Sequence, residues 1–309
     1  MRYIELIDRL QAVKVLVIGD VMLDSWYFGR SYRTTNEWGD SHPIIDVEST
    51  TSQLGGAANA ARACRSLGCD VRLIGVIGSD FWGGVSEKLC VAEGIDHCFF
   101  VDDRCTTVKI RVLAGECEPL RIDQEVRAPI PLSLENNIID QLLPSMVEAD
   151  IVLVSDYHKG TLTPGLLREI FRQGTRTLVD PKGHDFRPYK GASVIKTNRA
   201  ELEGSKLTYQ NIHDQTNSFI VQTLGAKGLE VWEPFNGIMN YGPIDVPVVD
   251  AIGAGDVVLA TLGCSVASGL TLQEAGKLAN LAGAASVRKR GTNGVGKQEL
   301  IEVANQCGI

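Results

Sequence analysis

Short runs of apolar, β-branched residues recur along the chain with helix-length stretches between them. They fall at 14–19 (KVLVIG), 71–77 (VRLIGVI), 151–154 (IVLV), 176–179 (RTLV), 193–195 (SVI) and 218–223 (SFIVQT). Runs that stay apolar at successive positions suit parallel strands covered by helices on both faces. Helical patterns are predicted between them at 56–67, 85–92, 134–147, 164–172, 254–268, 272–288 and 298–304. The alternation predicts an α/β fold, a doubly wound sheet flanked by helices.

Two segments break this alternation. Residues 24–49 and 106–123 carry short alternating strands (SWYFGRSY, PIIDVE, TTVKIRVL, PLRIDQ) with no helical period between them. They are predicted to meet as a small β-lid on a single domain spanning 1–309, a device that excludes water from a substrate. A pair of surface hairpins fits the pattern equally well. No internal repeat, low-complexity stretch or proline-rich linker interrupts the chain.

Composition narrows the partners. A chain of 309 residues buries about 75% of its unfolded surface, so no disulfide or metal staple is required. With 30 Lys and Arg against 38 Asp and Glu, the net charge of −8 argues against a broad nucleic-acid or anionic-membrane surface. The charged start, MRYIELIDRLQAVKVLV, is no secretory signal, and the apolar stretch at 257–270 is too short to span a bilayer. A cytosolic protein is expected. Cys64, Cys69, Cys90, Cys98, Cys105, Cys117, Cys264 and Cys307 form no CxxC pair or zinc spacing, so they are expected to stay reduced.

The strongest local signal is Asp250-Ala-Ile-Gly253-Ala254-Gly255-Asp256, between a strand-like PVVD and a long apolar helix. Small residues at a helix start leave backbone N–H groups bare at the positive end of the dipole, where an anion can sit. Asp256 beside such a turn is placed to take a proton from a hydroxyl attacking a phosphoryl group. An ordinary first-turn carboxylate fits the same position. Gly291-Thr-Asn-Gly-Val-Gly296-Lys297 has the spacing GxxxxGK, but Gln298 stands where magnesium needs Ser or Thr, and a helix rather than a strand precedes it. It is rejected as a phosphate loop. A second glycine pair opens a helix at Gly55-Gly56-Ala-Ala-Asn59, where close approach and a donor-acceptor amide suit a hydroxyl ligand, or simply tight packing. Asp20 and Asp24 follow the first strand at the end where ligands of open α/β sheets sit.

These stretches resemble the ribokinase-like (PfkB) carbohydrate kinases. Gly55-Gly56-Ala57-Ala58-Asn59 is similar to that family's N-terminal signature, and 250–256 to its C-terminal signature DTxGAGD. Asn198-Arg-Ala-Glu201 resembles its NxxE motif and Thr223-Leu-Gly225-Ala-Lys-Gly228 its TxGxxG motif. Within the family, 17–24, 155–160, 180–189, 109–113 and 121–123 most resemble D-glycero-D-manno-heptose 7-phosphate kinases, the first module of bacterial ADP-heptose synthesis. Those kinases often carry a C-terminal nucleotidyltransferase domain; this chain is expected to act as a stand-alone kinase.

The resemblance implies ATP and Mg²⁺ as cofactors. It makes Asp256 the base and the N–H groups of Gly253, Ala254 and Gly255 the hole for the transferring phosphoryl. Asn198 and Glu201 would orient Mg²⁺ through its waters; Thr223, Gly225 and Gly228 would approach the nucleotide phosphates, and Asn280 the adenine. Asp24, Gly55, Gly56 and Asn59 would hold sugar hydroxyls. The sugar's own phosphate needs cations, for which Arg111 and Lys182 are the candidates, each also readable as surface charge. Trp26 and Trp38 would cover the sugar or fill the lid's own core. Ala251 replaces the usual Thr of the signature, which bears on an adjacent monovalent-cation site, and the lid stretch 35–42 lacks the usual proline. The expected reaction is phosphorylation of the anomeric hydroxyl of a heptose 7-phosphate or similar sugar phosphate. The alternatives are an unphosphorylated sugar, cyclitol or nucleoside as acceptor, or a catalytically weak binding or regulatory protein. Unpaired strand edges on the lid are compatible with a homodimer.

Overall fold

The computed structural model describes residues 2–37, 39–115 and 119–309; Trp38 and Cys117 lie outside them. The chain opens with α1 (Tyr3–Asp8) and β1 (Lys14–Gly19), then runs through long strands β2 (Val21–Thr35) and β3 (His42–Gly56) into α2 (Ala57–Ser66). Next come β4 (Asp70–Gly78), α3 (Phe81–Ala92), β5 (Asp96–Asp102), β6 (Thr107–Ala114) and β7 (Leu120–Gln124). An alternating stretch follows: α4 (Leu132–Glu148), β8 (Ile151–Ser155), α5 (Pro164–Arg172), β9 (Thr177–Asp180), β10 (Val194–Asn198), α6 (Arg199–Ser205), α7 (Tyr209–Thr216) and β11 (Phe219–Thr223). Strands β12 (Leu229–Glu233) and β13 (Gly237–Tyr241) precede the last helices, α8 (Ala254–Ala267), α9 (Leu272–Ser286) and α10 (Lys297–Gln306).

The main sheet has nine strands in the order β13-β12-β11-β10-β9-β8-β1-β4-β5, parallel from β5 to β11, with an antiparallel margin of β12 and β13. The apolar runs are explained by β1: Val15 and Val17 pack in one core with residues of α2, α8 and α9, and Leu16 and Ile18 in the other with residues of α4 and α5. A strand buried on both faces has no position left for polar alternation. From β1 the chain builds outward to β4 and β5, and later returns to build from β8 in the other direction. The switch in strand order therefore lies between β1 and β8, where ligands of open α/β sheets bind beyond the C-terminal strand ends.

The second sheet is four-stranded, in the order β3-β2-β6-β7, with β2 antiparallel to β3 and parallel to β6. Residues 24–49 and 106–123 contribute its strands, but β2 and β3 start deeper, pairing from Val21 with Gly56. The small sheet thus grows directly out of the first strand-helix connection. Among the described residues no helix is long and apolar enough to cross a membrane. The GxxxxGK stretch leads into α10, and Lys297 donates to the Leu10 carbonyl at 2.6 Å, tying the two ends of the chain together.

Candidate active site

Asp256 lies in the first turn of α8, with 1% of its surface exposed. The helix starts at Gly253, whose φ of +77° is left-handed and whose missing Cβ would stand 2.5 Å from Asn59 Nδ2. Glycine is required there on both counts. Among the described residues, the N–H groups of Gly253 and Gly255 meet no backbone carbonyl, and that of Ala254 makes a long 3.4 Å turn to Ala251. Bare donors at a helix start are the local condition for holding an anion. Asp250 fixes the turn from outside: its carboxylate accepts the N–H of Ile252 at 3.0 Å and of Gly291 at 2.9 Å. Each of its oxygens thus holds one backbone donor of the turn.

Each oxygen of Asp256 has one donor. Asn59 Nδ2 gives a bond of 2.7 Å and the Tyr157 hydroxyl one of 2.8 Å. A carboxylate accepts at about four lone-pair positions, so room remains for a substrate hydroxyl. Burial pushes the Asp256 carboxyl above its ordinary pKa, against the Asn59 and Tyr157 hydrogen bonds and the Lys196 charge, with Asp24 adding to the rise. A carboxylate raised by burial, with donors that favour its charged form, has the surroundings that proton abstraction calls for.

The donors are themselves fixed from the strand ends. Asp20, after β1, accepts the N–H groups of Tyr157, Lys159 and Thr161 at 2.8, 3.0 and 3.2 Å. Asp156 accepts from the His158 N–H and the Tyr189 hydroxyl. These bonds shape the loop after β8 and aim Tyr157 at Asp256. Beneath the anion turn, Lys196 of β10 donates to Asp180 of β9 at 2.7 Å, both side chains buried. A Cβ on Gly255 would lie 2.9 Å from that ammonium. Burial pushes Asp180 up to about 6, opposed by Lys196, while Asp180 keeps the Lys196 ammonium charged despite its own burial. A buried pair adds little stability, and a cation beside a helix N-terminus has the wrong sign for the dipole. Its sign is right for an arriving phosphoryl group.

The residues expected at the sugar gather around β2. Asp24 receives Arg111 Nη1 at 2.6 Å, and the Arg111 guanidinium lies 5.2 Å from the Trp26 ring. Trp26 is buried, so it is part of the packing under Arg111 rather than a free cover. A Cβ on Gly55 would stand 2.4 Å from Asp24 Oδ2, and one on Gly56, at φ +55°, 2.5 Å from the Asp20 carbonyl. The glycine pair makes room first for the chain's own Asp24 and Asp20. Asn59, expected at the sugar, donates to Asp256 instead.

On the other side, Asn198 and Glu201 form a reciprocal cap of α6: Asn198 Oδ1 accepts the Glu201 N–H, and Glu201 Oε2 accepts the Asn198 N–H, each at 3.0 Å. Lys182 lies 3.3 Å from Glu201 Oε1. Lys182 and Arg111, the candidates for the sugar's phosphate, are thus each paired with a carboxylate. Magnesium commonly takes one or two carboxylates with waters and substrate phosphates, and Glu201 Oε1, left out of the cap, fits that need; Asn198 would act through the cap and through water. Among the described residues no group of three acidic, histidine or cysteine side chains forms a metal cage. Thr223 ends β11, and Gly225, at φ +62°, faces open space. Gly228 has a different reason: a Cβ there would meet the Tyr241 carbonyl at 2.0 Å. Asn280 donates to the Gly242 carbonyl at 2.8 Å, which holds the loop after β13.

Sequence patterns give no role to Tyr157, Lys196, Asp180 or Lys109, although 155–160, 180–189 and 109–113 are among the stretches that carry the resemblance. Lys109 of β6 lies 5.2 Å from the Tyr157 ring, and Lys159 pairs with Glu125 at 2.5 Å. The one signal for Lys196 is a charge directly after the apolar pair Val194-Ile195 in a buried strand.

A family model described as pfkB family carbohydrate kinase matches residues 13–298. The chain is 37% identical to the bifunctional protein HldE of Caulobacter vibrioides over 317 residues, covering 95% of this chain and 64% of that protein. It is 34% identical to the bifunctional protein HldE of Citrifermentans bemidjiense, again covering 95% and 64%. The chain thus spans just under two thirds of these relatives. Among solved structures, phosphofructokinase-2 from Escherichia coli in complex with potassium aligns with a TM-score of 0.79 at 18% identity, covering 96% of this chain and 99% of that one. Ribokinase from Thermotoga maritima aligns at 0.74 and 18% identity, covering 95% and 99%. Both likenesses establish a ribokinase-like fold.

Proposed function

Because the chain belongs to the pfkB family of carbohydrate kinases, phosphotransferases with an alcohol acceptor, we propose that it phosphorylates the anomeric hydroxyl of a heptose 7-phosphate or a close analogue. The observation that carries the reading is Asp256, buried at a turn of bare N–H groups with a donor on each oxygen. The substrate hydroxyl gives its proton to Asp256 as its oxygen bonds the γ-phosphorus of ATP. The bond from that phosphorus to the bridging oxygen breaks, ADP leaves, and Asp256 returns the proton to solvent. The N–H groups of Gly253, Ala254 and Gly255 receive the oxygens of the moving group, where positioned donors are most effective. Mg²⁺, when bound with the nucleotide beside Glu201 and Asn198, supplies neutralisation of phosphate charge.

For the acceptor, Asp24 and Asn59 offer partners to hydroxyls, and Arg111 and Lys109 on β6 supply positive charge beside them. The local resemblance to heptose phosphate kinases supports a phosphorylated sugar. The ion pairs Arg111 with Asp24 and Lys159 with Glu125 favour a second reading, an unphosphorylated sugar, because a phosphate must compete with those carboxylates. The test compares kcat/KM for heptose 7-phosphate and for the dephosphorylated heptose. A preference of about a hundredfold or more, the worth of two charge-assisted bonds, is expected; equal values overturn the sugar-phosphate assignment. The same reading makes the chain a cytoplasmic enzyme and pairs two copies through the open edges of the four-stranded sheet.

A further inference from the structure

Arg62 sits in α2 among alanines, with 8% of its surface exposed. A buried guanidinium is costly unless its donors are met. Here they are met unevenly. Nη2 donates to Asn59 Oδ1 at 2.6 Å and reaches the Leu54 carbonyl at 3.5 Å, while Nη1 meets Glu93 at 3.4 Å. Nε has no partner among the described residues. The short bond to Asn59 is the contact this arrangement secures.

That bond decides which way Asn59 faces. The two ends of a side-chain amide have nearly the same shape and opposite hydrogen-bonding character. Arg62 offers only donors, and the Asp256 carboxylate only acceptors. Between them the amide has one favourable orientation, Oδ1 to Arg62 and Nδ2 to Asp256 at 2.7 Å, with the Gly253 carbonyl at 3.4 Å. Turned over, its oxygen would face the carboxylate and its amino group the guanidinium, repulsive on both sides.

We propose that Arg62 is a positioning residue for phosphoryl transfer: through Asn59 it fixes the amide face presented to Asp256, and with it the orientation of the base. The proposal rests on the kinase reading of Asp256. No site motif reaches Arg62, and packing alone does not call for a charge among alanines.

The test is a double-mutant cycle of Arg62→Met and Asn59→Ala. It is read as kcat and KM for ADP release, and as the titration of the Asp256 carboxyl by 13C NMR. The other groups facing Asp256, namely Tyr157, Lys196 and Asp24, are left in place, as is Glu93 beside Arg62. Arg62→Met is expected to lower kcat by about tenfold, a part of the roughly 10²–10⁴-fold that a general base contributes, with KM for ATP unchanged. The Asp256 titration should move to higher pH, because the Asn59 amide that donates to its charged form is no longer held in place. In the Asn59→Ala background the same change should add less than about twofold. Equal factors in both backgrounds, or parental kcat and titration in Arg62→Met, overturn the proposal. Should Arg62→Met fail to fold, Arg62→Gln carries the same cycle. A parent chain without ADP release counts against the kinase reading instead, and the NMR titration then decides the role of Arg62.

Discussion

Burial pushes the Asp256 carboxyl above its ordinary pKa and its neighbours oppose the rise, so on the proposed mechanism they set the acid limit of activity. Because its pKa is raised above the ordinary value, activity should fall as pH drops through that raised value, where the base is already protonated. Removing the Tyr157 hydroxyl takes away a donor that favours the charged form. Tyr157→Phe is therefore expected to move the acid limb of kcat/KM to higher pH and to lower kcat, measured across pH with saturating ATP. Lys196 makes a second expectation. Lys196→Met leaves Asp180 buried without its partner, a loss of about 3–5 kcal/mol, and should cut kcat about a hundredfold as for a lost oxyanion donor. Asp180→Asn combined with Lys196→Met removes both charges. It should recover the melting temperature without recovering kcat; recovery of both would make the pair purely structural.

The start of α8 shows why small residues at an element boundary carry chemistry. Gly253→Ala meets a left-handed φ and an occupied Cβ position at once. Strain of about 1–3 kcal/mol and displacement of Asn59 are expected, seen as a lower melting temperature with a loss of kcat larger than any change in KM for ATP. The helix start was legible in the small residues of GAGD before an apolar run, whereas the strand-like PVVD at 247–250 forms no strand. The strands buried on both faces were legible for the same kind of reason, an unbroken apolar run. Strand β5 was not, because Asp96, His97 and Asp102 interrupt its pattern at the sheet edge. The β12-β13 hairpin carried a signal in Asn236-Gly237, a turn dipeptide between strand-forming residues. The cap of α6 was written in Asn198-x-x-Glu201, which reads as a helix start and as a family motif together.

At the scale of the molecule, the site is assembled from contacts that no local pattern encodes. Arg111 reaches Asp24 across 87 residues and Asn59 reaches Asp256 across 197. The sequence marks these side chains as charged or polar but not as one another's partners, so the pairing of Arg111 with Asp24 and of Lys182 with Glu201 was not legible in it. The four-stranded sheet leaves β7 at its edge, with Leu120 and Ile122 at 54% and 48% exposure. Open apolar edges seek a partner strand. Ile122→Glu should shift the chain from dimer to monomer in sedimentation equilibrium, and a monomeric parent would contradict pairing through that edge. The measurement that bears most directly on the whole reading is ADP release in the presence of heptose 7-phosphate by the parent chain and by Asp256→Asn. Sugar-dependent release by the parent, falling at least about a hundredfold in the variant with ATP binding retained, is the expected result. Near-parental turnover by Asp256→Asn would contradict the assignment of the base and the mechanism built on it.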